Sequence, residues 1–412
     1  MLSAIWFTNY KSDACATLCF SNQVMACAMH GGYGPNFDPI AVAAENRKVR
    51  EKRDVCNTTK VAIKNVQIFD GLQLLPPSTV VIDGNTIGTD PEGAEVIDAT
   101  GLTLLPGLID SHCHPDNVTH LESLTSYGVT TAFEMATFVP ALGESLKNHS
   151  GLTDIFLASA PACAPGSAHG NITAARDASL LINASSEVPA WLQRQLSWNP
   201  DLVKIIAESP GLNQSTLNLL TQASHENNKR VICHIGTYDG AVQAMAAGAD
   251  MIHHSTLDKP ITADIAYEIL LKQQVSVPTL AIMKAILTIK PQVSYRSAQE
   301  TVTLLHQAGV PILAGTDANL QQGVLVEVPF GSSLHEELGL LSAAGMTNRE
   351  VLNVATIRAA EYWGLKDRGR IAPGLRADLL LIEGNPLQNL TATRNIKKVW
   401  VNGVEYSGPL GQ

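Results

Sequence analysis

Four histidines, an aspartate and a lysine stand at or near the ends of short apolar runs, and their side chains are those of a metal centre. His112 and His114 lie in DSHCHPD, Lys204 in DLVKIIAES, His234 in RVICHIG, His254 in ADMIHHS and Asp317 at the end of VPILAGTD. Residues i and i+2 of a strand point to one face, so the imidazoles of His112 and His114 can meet one ion while Cys113 points away. Neutral imidazole and carboxylate suit zinc or a related divalent cation. Such an ion lowers the pKa of bound water to about 7 and polarises a carbonyl oxygen, the two needs of a hydrolysis. Asp317 can ligate the ion and also accept the proton of the attacking water. Lys204 has two readings. It reaches solvent from a strand end, or its amine, held neutral by burial and neighbouring dications, reacts with CO2 to a carbamate that bridges two metals.

These residues need a scaffold that brings many strand ends together. Between about residues 106 and 368, eight short apolar runs alternate with segments of helical period such as STLNLLTQASHENNK and SAQETVTLLHQAG. Eight strands in that length predict a (β/α)8 TIM barrel of the α/β class, whose functional groups gather at the C-terminal strand ends. A doubly wound open sheet is the alternative, but no glycine-rich nucleotide loop follows the first run. On either side, VAIKNVQIFDG, STVVIDGNTIG and AEVIDATGLTLLPG, then ADLLLIEGNP and IKKVWVNGVEY, have the β-branched, turn-broken texture of strands. Residues 60–105 and 369–412 are therefore expected to form one small β-sandwich domain from both flanks, with 106–368 as the metal-binding barrel. Residues 1–59 form an extension whose charged run ENRKVREKRD predicts a solvated helix or tail. Its role is open between tail, oligomer contact and lid.

The chain has 412 residues, of which 45% are hydrophobic and 16% charged, with a formal net charge of −10. That composition excludes a polar disordered chain and argues against a nucleic-acid surface, which needs clustered positive charge. No run reaches the roughly 20 apolar residues of a membrane helix. Seven cysteines, an odd number scattered along the chain, do not form the framework of a secreted disulfide-rich protein. Cys15, Cys19, Cys27 and His30 lack the close pairing of a zinc knuckle. The N-terminus has no basic segment followed by a clean apolar one, so a cytoplasmic location is expected. Seven glycosylation sequons, at Asn57, Asn117, Asn148, Asn171, Asn183, Asn213 and Asn389, would matter only in a secreted chain.

Taken together, LLPGLIDSHCH, VICHIG, AGADMIHHS, LAGTDA and GRIAPGLRADLLLIEGNPL resemble the metal-dependent amidohydrolase superfamily in its imidazolonepropionase-like and Xaa-Pro dipeptidase-like branch, over about residues 61–406. The resemblance implies a binuclear centre of two zinc-like ions. His112 and His114 would hold one ion, His234 and His254 the other, with carboxylated Lys204 bridging and Asp317 completing the first shell. His253 stands where the family carries an acidic residue and is read as packing. His169, in APGSAHG, falls where relatives have a histidine that faces the substrate. Tyr238, just past His234, either hydrogen-bonds a tetrahedral intermediate or caps the barrel. His335 is read as helix surface, and His120 as lining the mouth.

The implied activity is hydrolysis of an amide C–N bond by a metal-bridging hydroxide. The substrate would be a small molecule such as a dipeptide, an N-acyl amino acid or an amide-linked natural product. Specificity lies in the loops, which the fold does not fix. A decarboxylase, lactonase or isomerase on the same barrel is the second reading. A non-catalytic binding or assembly protein is the third, for which missing ligands would be the sign; none of the six is missing. Relatives of this type also allow a homo-oligomer.

Overall fold

The computed structural model describes residues 37–53 and 59–411. The first flank supplies β1 (Val61–Ile68), β2 (Ser78–Asp83), β3 (Thr86–Gly88), β4 (Glu95–Asp98) and β5 (Leu102–Pro106). The middle supplies β6 (Leu108–Cys113), β7 (Val129–Glu134), β8 (Asp154–Leu157), β9 (Leu202–Ile206), β10 (Arg230–His234), β11 (Met251–His253) and β12 (Val275–Val277). The second flank returns with β13 (Leu379–Glu383), β14 (Ile396–Val401) and β15 (Val404–Glu405).

The flanks share one mixed sheet of eight strands, ordered β15-β14-β13-β5-β1-β2-β3 with β4 beside β1. The two ends of the chain meet where β13 runs antiparallel to β5, Leu380 opposite Leu105. One face buries Ile63, Ile82, Leu104, Leu379, Leu381 and Trp400. Such side chains contribute roughly 1.5–3 kcal/mol each on leaving water, which holds the returning segment in place.

The middle strands are all parallel, in the orders β6-β7-β8 and β12-β11-β10-β9. Near-continuous apolar runs fit strands covered on both faces, and every residue of β6, β7 and β9 is buried. Backbone bonds tie the two sheets at both margins. Beyond β8, Ser159 N donates to Leu202 O (2.9 Å) and Ala162 N to Lys204 O (2.9 Å). On the other side Leu313 N donates to Ser276 O (2.9 Å), while Ser111 N donates to Ala314 O (2.9 Å) and His114 N to Ala318 O (2.8 Å).

The eighth apolar run is thus extended and bonded on both sides, yet it makes only isolated bridges, Ser276 with Ile312 and Cys113 with Ala318. Close packing there requires glycine: a Cβ on Gly315 would stand 2.5 Å from Val277 Cγ1 and 3.1 Å from His112 N. The intervening helices follow their apolar period. In Gln214–Glu226, capped by the Asn213 side chain, Leu217, Leu220, Thr221 and Ser224 face inward. Among the described residues no helix is long and apolar enough to cross a membrane.

The charged run of the N-terminal extension does form a helix, Pro39–Arg53, but one side of it is docked. Asn46 is buried; its amide donates to Ser145 Oγ (2.9 Å) and Asp116 O (3.4 Å) and its carbonyl accepts from Val118 N (3.3 Å). Arg50 donates to Lys147 O and Arg53 pairs with Glu122 at 2.8 Å. One amide and two guanidinium groups bind a helix that composition marks as solvated. The cluster of Cys15, Cys19, Cys27 and His30 lies outside the described residues.

Candidate metal centre

His112 and His114 emerge from the end of β6, both fully buried. Asp317 reaches them from the eighth run: its Oδ1 lies 2.9 Å from His114 Nε2 and 3.2 Å from His112 Nε2. One ligand atom from each of the three falls within 4.8 Å of the other two, close enough to share one ion. Asp110 braces this corner. Its carboxylate accepts from His112 N (3.1 Å), Thr316 N (3.1 Å) and Thr316 Oγ1 (2.7 Å), and Asp317 N donates to His112 O (2.8 Å). Asp317 holds a left-handed backbone, φ 59°, a conformation that costs a non-glycine residue of order 1–3 kcal/mol and persists only where the surroundings enforce it.

His234 ends β10 and His254 follows β11, their ring centroids 4.4 Å apart. His254 is 4.6 Å from His112, and His169 is 4.1 Å from His234. The five imidazoles therefore form a continuous array from His114 to His169. His254 is also left-handed, φ 75°, as is Thr279, φ 48°, whose Oγ1 lies 2.8 Å from His254 Nδ1. That contact occupies Nδ1 and turns Nε2 inward. Lys204 projects from the middle of β9 and is fully buried, so the solvent-reaching alternative is excluded for the described structure.

Among the described residues, His112 Nε2, His254 Nε2 and Lys204 Nζ are buried and make no hydrogen bond, although His112 Nε2 lies near the Asp317 carboxylate. Each unmet group costs about 1–3 kcal/mol, and all three belong to the predicted ligand set. Burial, followed by mutual repulsion, drives His112, His234 and His254 well below the ordinary histidine value. They are neutral, the state in which imidazole binds a metal. Burial lowers the Lys204 ammonium to about 8, against the opposing charges of Asp317 and Glu134. Burial likewise raises the Asp317 carboxyl, opposed by His114. An ammonium loses its charge here more readily than in water, which is what CO2 addition requires, and the donor set fits divalent ions.

The structure thus brings His112, His114, Lys204, His234, His254, Asp317 and His169 into one buried cluster. Tyr238 lies apart from it. Its ring stacks under the Lys259 ammonium (4.1 Å) and its N donates to Asp258 Oδ1 (2.9 Å) at the start of helix Tyr238–Ala247. His120 stacks on Phe330 at 4.3 Å and lies 3.1 Å from Asp116. His335 is a correction to the reading of helix surface. It is buried between Thr393 Oγ1 (2.9 Å) and Tyr127 O (2.9 Å).

Two carboxylates escaped the sequence reading. Glu134, closing β7, lies 3.5 Å from His114 Nδ1, and burial raises its carboxyl to about 7. Glu208, just beyond β9, clamps His169 by its backbone N (3.1 Å) and its Nδ1 (3.0 Å). Both stand at strand ends, so the rule that found the histidines also marks these acids; acidic residues at strand ends are simply too common to stand out.

Comparison with known proteins adds an independent line. Residues 103–405 match the profile described as the amidohydrolase family. The chain is 23% identical over 386 residues to an adenine deaminase of Bacillus licheniformis, covering 89% of this chain and 59% of that protein. It thus spans about three fifths of the length of that curated relative. Among solved structures, a Xaa-Pro dipeptidase with methionine bound in its active site superposes with a TM-score of 0.72 at 21% identity, covering 85% of this chain and 100% of the other. The ochratoxinase of A. niger superposes with a TM-score of 0.70 at 17% identity, covering 87% and 98%. At such identities the likeness carries the fold, a TIM barrel of α/β content.

Proposed function

The chain belongs to the amidohydrolase family, and from that premise we propose a binuclear metal-dependent hydrolase that cleaves an amide C–N bond in a small molecule. The observation that carries this reading is the set of buried nitrogens on His112, His254 and Lys204 that make no hydrogen bond among the described residues, beside the Asp317 carboxylate. In this reading the two parallel sheets and the eighth run close into one barrel. His112, His114 and Asp317 would hold one zinc-like ion and His234 and His254 a second, with carboxylated Lys204 as the ligand common to both. Bound divalent ions supply a polarised carbonyl and an acidified water.

The protein's own groups do the rest. Asp317 takes the water proton on its carboxylate and returns it to the leaving nitrogen. Glu208 accepts from His169 Nδ1–H and so holds the His169 ring beside that of His234. Asp110 and Thr279 hold the neighbouring backbone and ring in place. N-acyl amino acids, dipeptides and amide-linked natural products are the proposed substrates, in keeping with the Xaa-Pro dipeptidase and ochratoxinase neighbours. Release of ammonia from an aminated ring is the second reading, favoured by the adenine deaminase relative. No nucleic-acid or membrane partner is proposed; a homo-oligomer is. A cytoplasmic setting is proposed.

The test is metal content per chain, with and without bicarbonate, followed by screening for released amine against those substrates and for ammonia against adenine. About two equivalents of metal, rising with bicarbonate, together with amine release, are expected. One equivalent or none, insensitive to bicarbonate, sinks the bridged centre; ammonia alone selects the second reading.

A further inference from the structure

His253 sits at the end of β11, in register with His234 of β10 and Val277 of β12, and is fully buried. Its Nδ1 lies 2.8 Å from His112 Nδ1, with the rings 4.9 Å apart and inclined at 48°. Two imidazole nitrogens at that separation share one proton, one donating and the other accepting. The choice has consequences for His112. If His253 donates, neutral His112 carries its own proton on Nε2, the atom turned toward Asp317, and has no lone pair there for a metal. If His112 donates from Nδ1, its Nε2 lone pair faces the cluster and His253 carries its proton on Nε2. That atom is buried and makes no hydrogen bond, its ring standing edge-on to the Trp363 indole at 6.5 Å.

We infer that His253 is a positioning residue: it accepts the His112 Nδ1–H, and by doing so fixes both the tautomer and the ring plane in which His112 offers Nε2 to a metal. A partner of this kind raises ligand basicity and orients the ring, and its loss typically weakens metal binding about 10–100-fold. An imidazole differs here from the carboxylate more often found in that role, since it accepts the proton without adding negative charge to the centre. The inference rests on the proposed metal centre, and the experiment separates the two.

Zinc affinity is measured on the full chain by competition with a chromophoric chelator, for the natural protein, His253→Leu and His253→Asn. Leucine and asparagine have nearly the same shape, and asparagine Oδ1 takes the place of the ring Nδ1 as acceptor, so the pair isolates the hydrogen bond from lost ring volume. His253→Leu is expected to bind zinc about 10–100-fold more weakly, and His253→Asn to recover most of that loss, while the two metal-free variants melt together. Equal affinity in the natural protein and His253→Leu overturns the inference, as does an equal loss in both variants. A natural chain that takes up no zinc overturns the metal centre itself. Should the variants not fold, 15N NMR of the zinc-loaded natural protein decides: His253 protonated on Nε2 is expected, and a proton on its Nδ1 overturns the inference.

Discussion

Asp317 is the residue in which ligand geometry and proton chemistry meet. Its carboxylate lies against His112 of β6 and His114 just beyond it, and its φ of 59° is held by the bond from its own N to His112 O. Asp317→Asn keeps the shape and removes the proton acceptor. Turnover is therefore expected to fall by at least about 100-fold, read as kcat on whichever amide the screen finds; unchanged kcat would remove Asp317 from the chemistry. The sequence made most of this residue set legible, because a ligand pair at i and i+2 and histidines at successive strand ends form a pattern that chance seldom produces. It did not reveal Glu134, Glu208 or the engaged side of His253. Those depend on which neighbouring loop or strand lies opposite, and no local spacing encodes that.

At the scale of elements, the helix Ser332–Ala343 shows how a buried histidine ties a barrel helix to its neighbours. His335 reaches Thr393 in the short turn Leu390–Arg394 and the carbonyl of Tyr127. Burial lowers its pKa to about 4. In the unfolded chain the ordinary value is about 6.5, so between those pH values the unfolded state binds the extra proton. The stabilisation is complete above about pH 6.5 and is lost as pH falls toward about 4, at up to roughly 1.4 kcal/mol per pH unit. His335→Gln should flatten the fall of the urea midpoint between pH 6.5 and 5 relative to the natural chain, since the other buried histidines are common to both. An unchanged slope would mean that His335 binds its proton equally well in the folded and the unfolded chain. The charged helix Pro39–Arg53 and the irregular eighth run were the elements least legible in advance. One is docked through Asn46, Arg50 and Arg53 and the other is bonded to strands distant in sequence, and neither effect appears in a composition average.

For the whole molecule, the junction between the middle strands and the flanking sheet centres on Arg368. Its guanidinium donates to Asp154 Oδ2 (2.8 Å) and Thr131 Oγ1 (3.0 Å) and lies 3.9 Å from Asp378. Asp378 in turn pairs with Arg376 at 2.9 Å and accepts from Asn402 N (2.8 Å). Burial raises the Asp378 carboxyl while Arg376 and Arg368 oppose it. Arg368→Met removes a cation from beside buried Asp378 and partly buried Asp154, and breaking such a network costs about 3 kcal/mol. Equilibrium urea unfolding should show that loss; a change under about 0.5 kcal/mol would assign the network to surface electrostatics.

The pairing of β5 with β13 also sets a timetable for synthesis. About 270 residues separate Pro106 from Leu379, and at roughly 5–20 residues per second a ribosome needs about a quarter of a minute to a minute to cross them. Throughout that interval β5 can pair with β1 on one side while its other edge, with Leu104 and Leu105, waits for a strand not yet made. An unpaired apolar edge is a template for other chains, so the nascent protein is most exposed to aggregation, and most in need of a chaperone, while its middle is still being translated.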